Sequence, residues 1–174
     1  MRTRLIGLGN DLLSDDGVGL EVVRILRKRL GNRPDLEFRE TPAGGIRLLD
    51  EVLGADRVVL IDALMSPDLR PGTLGLWWWN RKRGDFVPCD VRDGKIARRP
   101  GPCHARRYSS THDTDLASAL QLAKRFGMQL PRRIWLYGVA IQDGVTFHTG
   151  LSPEVAQGRD TVVELLCRSF RTEG

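Results

Sequence analysis

Apolar residues recur at helical spacing from Val18 onward. Val18, Val22, Ile25, Leu26 and Leu30 form one stripe, with Glu21, Arg24, Arg27 and Lys28 largely off it. The spacing predicts an amphipathic helix, ended by Gly31-Asn32 and Pro34. Ahead of it, Thr3 to Gly7 reads as a short buried strand running into a Gly-rich loop. Leu36 to Arg39 supplies a second strand, Pro42 to Gly45 a turn, and Ile46 to Leu53 a short helix stopped at Gly54. Arg57 to Asp62 (RVVLID) is the clearest strand, because an unbroken apolar run of this kind suits a central parallel strand covered on both faces. The turn signal Pro71-Gly72 precedes a strand over Thr73 to Trp79. Residues 80–112 are polar, basic and rich in Pro and Gly, and read as a long loop with a short hairpin around Asp93-Gly94. Leu116, Ala119, Leu120 and Ala123 mark another helix, capped by Asp113 or Thr114. Arg133 to Ile141 is a strand. A last helix opens at Ser152-Pro153, with Ser152 as N-cap and Pro153 as the first helical residue. Val155, Val162, Val163, Leu166 and Phe170 form its apolar face.

Strands alternating with helices predict an α/β fold: a three-layer αβα sandwich with a mostly parallel twisted sheet of about five strands. Residues 1–174 are expected to form one domain, with a basic loop insertion at about 80–110. In such sheets ligands bind beyond the carboxyl ends of the strands. Two marked segments fall there: Gly9 to Gly17 after the first strand, and the stretch beginning at Asp62.

Composition changes this picture in one place. Of the net charge of +5, residues 80–107 hold nine Arg and Lys against Asp85, Asp90 and Asp93, so this stretch carries +6 and the remainder −1. Next to it stand Trp77, Trp78 and Trp79. Alternation puts Trp77 and Trp79 on one sheet face and Trp78 on the other. If exposed, they would suit a basic nucleic-acid-binding module; if buried, they are core. No apolar run approaches the roughly 18 residues of a membrane span. The opening MRTRLIGLGN is too short in its apolar run for a signal peptide, so a cytoplasmic location is expected. Cys89, Cys103 and Cys167 are an odd, widely spaced set, unlike a secreted disulfide framework.

The candidate chemistry starts in GLGNDLLSDDGVG, Gly7 to Gly19. Gly7 and Gly9 would let the chain turn sharply as it leaves the strand. Asp15 and Asp16 stand just before a helix, where exposed amides favour carboxylates. Either one alone could be an N-cap; two leave one to spare. A dinucleotide fingerprint fails because Leu12 occupies the place of its third glycine, and a calcium loop fails at Leu13. Asp62 closes its strand, where it could equally cap a helix or pair with a cation. His112, in SSTHDTD, could equally be a solvent-exposed loop histidine. Two carboxylates and an imidazole would suit a divalent transition metal with positions open to water or substrate. No G-x-S-x-G elbow is present. Cys103-His104 are sequence neighbours, which rarely form a catalytic pair. A zinc set of Cys89, Cys103, His104 and His112 matches no standard spacing.

Taken in order, these blocks resemble the NiFe-hydrogenase maturation endopeptidases. Gly7-Leu-Gly-Asn10 with Asp15-Asp16-Gly17-x-Gly19 is similar to that family's opening signature. Thr41-Pro-Ala-Gly-Gly45 before Leu48-Leu49 is similar to its second Gly-rich turn. Leu60-Ile-Asp62-Ala63 with Pro71-Gly72-Thr73, then Ser110-Thr-His112, then Gly138-Val139 and Gly150-Leu-Ser-Pro153, resemble the blocks that follow. The resemblance implies that Asp16, Asp62 and His112 bind metal and act catalytically through it. It links the position of Glu40, commonly Asp in the family, to substrate handling, and Gly44 and Gly45 to the same substrate-binding turn. The implied activity is one cut that removes the C-terminal extension of a nickel-loaded large-subunit precursor. Nickel would be presented by that substrate, the alternative being a metal the enzyme holds itself, and zinc or cadmium would suit the same ligands. The implied partners are the precursor and other maturation proteins, with no nucleic acid and no membrane span. The segment from 80 to 107 is longer and more basic than the family pattern and is read either as a contact for the precursor or its accessory proteins or as a flexible solvated loop. Another α/β hydrolytic enzyme on the same scaffold is the remaining alternative, since a fold alone does not fix chemistry.

Overall fold

Five of the apolar runs become strands, and two more strands come from the segment read as a loop. The computed structural model describes residues 1–65, 69–92, 95–98 and 116–172. The strands are β1 (Thr3–Leu8), β2 (Leu36–Thr41), β3 (Arg57–Met65), β4 (Leu74–Asn80), β5 (Asp85–Arg92), β6 (Lys95–Arg98) and β7 (Arg133–Ile141). The helices are α1 (Val18–Leu30), α2 (Leu48–Val52), α3 (Leu116–Arg125) and α4 (Pro153–Thr172). Short 3-10 turns at Ser14–Gly17 and Gly45–Arg47 lead into α1 and α2.

The sheet order is β2-β1-β3-β7-β4-β5-β6. β2, β1, β3 and β7 are parallel; β4, β5 and β6 extend the sheet antiparallel. Side-chain alternation divides the core into two layers. On one face Leu5, Val59, Ile61, Tyr137 and Val139 pack with Val22 and Leu26 of α1 and Val162 and Leu166 of α4. On the other, Ile6, Leu60, Leu136 and Trp77 pack with Leu48 and Val52 of α2 and Leu120 and Ala123 of α3. The result is the αβα sandwich expected from the alternation of elements.

The expected loop over 80–112 is corrected for much of its length, because β5 and β6 run through it as strands. Phe86 meets Trp79 edge-on, with ring centroids 5.2 Å apart, and Cys89 is buried on the α1/α4 face. These apolar positions gave β5 a packing reason that the surrounding charge concealed. The hairpin expected around Asp93-Gly94 forms as the β5–β6 pair, whose register sets Arg92 against Lys95; its two turn residues lie outside the described residues. Outside them too are His112, Cys103, His104, and the Asp113 or Thr114 expected to cap α3. Trp77 and Trp79 are buried in the core and Trp78 is half-buried, so they are packing residues and present no stacking platform. Cys89 and Cys167 are buried thiols, and Cys89 Sγ donates to the Val87 oxygen at 3.6 Å.

Candidate functional site

In the strand order, β1 stands between β2 and β3. The chain therefore leaves β1 to one side, through α1 on one face of the sheet, and reaches β3 on the other side after α2 on the opposite face. The carboxyl ends of β1 and β3 thus flank a topological switch point, where open α/β sheets bind their ligands. Both candidate aspartates are at this crevice.

Glycines bring them there. A Cβ on Gly19 would lie 2.3 Å from the Leu8 carbonyl oxygen and 2.4 Å from that of Ile61. The start of α1 therefore rests directly on β1 and β3, and the Ser14–Gly17 turn packs against β3. Gly7 meets the same helix: its Cβ would lie 2.3 Å from the Gly19 oxygen. Gly7 is thus needed for close helix approach within β1, and the expected sharp turn belongs to Gly9 alone. Gly9 has φ +144° and no room for a Cβ, which would fall 2.1 Å from the Asp16 oxygen.

Asp15 and Asp16 have different partners. Asp16, 1% exposed, accepts the Asn10 N–H at 2.8 Å on Oδ2. Asp15, 4% exposed, accepts both the Ser152 N–H at 2.6 Å and the Ser152 hydroxyl at 2.9 Å. Asp15 thereby fastens the signature loop to the residue preceding α4. Neither is the N-cap of α1; that position is Gly17, with no side-chain cap. Ser14, between this loop and the turn, has φ +49°, the one positive φ outside glycine among the described residues.

Asp62 does not follow its strand but lies inside it, because β3 runs on to Met65. It is fully buried at 0% exposure, deeper than the rim position expected. The β1–β3 ladder ends at Gly7 opposite Ile61, so Asp62 is the first residue of β3 past that pairing, while β7 continues beside it at Gly138. Its Oδ1 accepts the Ala63 N–H at 2.8 Å. By alternation Asp62 shares the sheet face of Leu60 and Leu64, the face covered by α2 and α3. Among the described residues no group of three or more His, Cys, Asp or Glu is arranged around a common point. His112 stands four positions ahead of Leu116, which is buried on the Asp62 face.

Glu40, at the end of β2, lines a cavity of about 460 Å³ together with Gly9, Asn10, Asp11, Arg24 and Thr41. Arg24 spans this cavity. It donates to Asp11 and to Glu40, both at 2.7 Å, and Arg27 adds a 3.0 Å bond to Glu40. The Asp11 carboxylate first, and Glu40 with it, hold the Arg24 guanidinium above its ordinary value against the pull of burial. Gly44 and Gly45 belong to the turn into α2, where Gly45 takes φ +60°; the cavity wall reaches Pro42 on that strand end. The Arg24–Asp11–Glu40 bridge escaped sequence reasoning, because Arg24 shows there only as an off-stripe helix position. The Asp15–Ser152 link had a signal, the Gly150-Leu-Ser-Pro153 block, but no partner that sequence could name.

The fold is that of an open-sheet α/β protein, with two buried carboxylates, Asp16 and Asp62, on the segments that flank its switch point. No protein-family model matches the chain. Its relatives are nevertheless specific. It is 27% identical over 174 residues to the Hydrogenase 2 maturation protease of Escherichia coli (strain K12), covering 100% of this chain and 93% of that protein. It is 31% identical over 135 residues to the hydrogenase expression/formation protein HoxM of Azotobacter vinelandii, covering 78% of this chain and 56% of that longer one. Among solved structures, the hydrogenase maturating endopeptidase HybD from E. coli superposes with a TM-score of 0.72 at 24% identity, over 100% of this chain and 94% of that one. Along its whole length the chain is thus similar in sequence and in fold to hydrogenase maturation proteases.

Proposed function

We propose that this chain is an endopeptidase that removes the C-terminal extension of a NiFe-hydrogenase large-subunit precursor, and that Asp16, Asp62 and His112 receive the nickel this substrate carries. The observation that carries the reading is the burial of Asp16 and Asp62 at the switch-point crevice of a chain with a full-length maturation-protease relative. The donor chemistry suits a divalent transition metal: two carboxylates and an imidazole, with no thiolate among them. One oxygen of each carboxylate is oriented by a backbone N–H, from Asn10 and from Ala63, which holds the side chains in place before substrate arrives.

This chain's residues would act by recognition and positioning. Asp16 and Asp62 bind the substrate through its metal, so an unloaded precursor lacks a major part of its binding energy. Glu40 and Arg24 line the adjoining cavity, where the peptide on one side of the scissile bond would lie. When bound, nickel supplies polarisation of the scissile carbonyl or activation of a water.

The deciding experiment mixes the purified protein with nickel-loaded and nickel-free precursor and weighs the released tail by mass spectrometry. Release from loaded precursor alone is expected. Equal release from both would remove the nickel trigger, and release from neither would remove the endopeptidase reading. Asp16→Asn and Asp62→Asn are each expected to lower turnover by about 100-fold or more at unchanged thermal midpoint. Metal analysis after dialysis is expected to find little bound ion; a tight one-to-one metal would make the ion resident in the enzyme instead.

A further inference from the structure

The carboxyl edge of the sheet carries apolar side chains that no core claims. Phe147 is 84% exposed, Val145 76% and Leu12 58%. An isolated exposed apolar residue calls for no explanation. These three differ because backbone hydrogen bonds hold them together. Leu13 and His148 form a parallel bridge: the His148 N–H donates to the Leu12 oxygen at 3.2 Å, and the Ser14 N–H donates to the His148 oxygen at 2.7 Å. The residues before that bridged pair, Leu12 and Phe147, therefore fall opposite one another. Val145 stands two positions earlier, in a turn where Asp143 Oδ1 accepts the N–H groups of Val145 at 3.1 Å and Thr146 at 3.0 Å. Asp15 fastens the far end of the same segment through Ser152.

We propose that Leu12, Val145 and Phe147 form a fixed apolar lip that seats an extended segment of the precursor beside its cleavage point. The inference rests on the maturation-protease reading and names the surface that reading leaves open. Leu12 belongs both to this lip and to the wall of the cavity that holds Glu40 and Arg24. The lip is thus continuous with the site, on the same loop that carries Asp16. A peptide lying in that cavity would run alongside Leu12. A second copy of this chain seated there would cover the cavity mouth and shut substrate out, which argues for the substrate as occupant. Exposed aromatic and aliphatic anchors beside a pocket that holds a few charged groups are an arrangement by which short peptide segments are held in register.

The test compares wild type with a Val145→Ser/Phe147→Ser double variant, using nickel-loaded precursor in both turnover and calorimetric binding. The expected result is a KM and a Kd raised by about tenfold, a kcat within about threefold, an unchanged thermal midpoint, and substantial rescue by Phe147→Leu with Val145 restored. Equal Kd for wild type and variant overturns the lip, as does a dimer on light scattering that the double substitution dissolves. Wild-type protein that binds the precursor through the lip but never cuts it overturns the protease reading and leaves the lip standing. Protein that neither binds nor cuts overturns both.

Discussion

At the scale of single residues, the signature works by what it omits. Gly19 lacks a side chain because two backbone oxygens, from Leu8 and Ile61, occupy the space where one would be. Helix propensity alone would favour Gly19→Ala by about 1 kcal/mol. The contact is with rigid backbone on two strands, so steric cost prevails, and a net destabilisation of about 1–3 kcal/mol is expected in urea unfolding. Cleavage should fall with it, since α1 must lift away from the crevice. Asp15 and Asp16 look equivalent in sequence and are not. Asp15→Ala leaves the half-buried Ser152 N–H and hydroxyl without their charged acceptor, at a cost of about 1–3 kcal/mol. Its denaturation midpoint is expected to drop while cleavage of nickel-loaded precursor falls less than in Asp16→Asn. Equal kinetic losses in the two variants would refute that division of roles.

At the scale of elements, β4 shows why a tryptophan-rich strand is core. A Cβ on Gly75 would come 2.1 Å from the Trp77 ring, and one on Gly138 would come 3.1 Å from it. Two side-chain-free positions on neighbouring strands make the shelf on which the Trp77 indole lies flat. Trp77→Ala would leave a large cavity there and is expected to cost about 3–5 kcal/mol by calorimetry. The five strands with strong apolar runs were legible, and so were the helical stripes, because burial imposes those periods directly. β5 and β6 were hidden. Pro88 and a dense run of charges read as a loop. Pro88 is tolerated opposite Trp77, outside the Cys89–Arg92 stretch that pairs with β6.

At the scale of the molecule, ionisable groups make stability depend on pH at both ends. Burial pushes the Tyr137 phenol up to about 12, with Arg57 pulling weakly the other way. The fold thus holds a proton that the unfolded chain releases near its ordinary value of 10.0, and stability should fall as pH rises from there through about 12. Denaturation midpoints measured between pH 8 and pH 12 are expected to decline in wild type and to decline less in Tyr137→Phe. On the acid side, burial raises the Glu37 carboxyl, but Arg4 and Arg39 together outweigh it and hold the group below its ordinary 4.5. Its contribution is present above that value and is lost as pH falls through the lower folded one. Glu37→Gln should therefore flatten the acid limb of the same profile. Beyond titration, no described helix is long and apolar enough to cross a membrane.

The chain's own pattern determined the layer order of the fold, the five principal strands and the carboxylates worth watching. Hydrophobic spacing and turn residues act over a few positions, and a linear reading captures such local causes. Only the tertiary structure decided which neighbouring aspartate accepts from Ser152 and which from Asn10. It alone set Asp62 inside β3, drew Arg24 between Asp11 and Glu40, and brought Leu12 against Phe147. Each of those facts joins segments far apart in sequence through backbone contact, where partner choice depends on three-dimensional register and leaves no periodic trace along the chain.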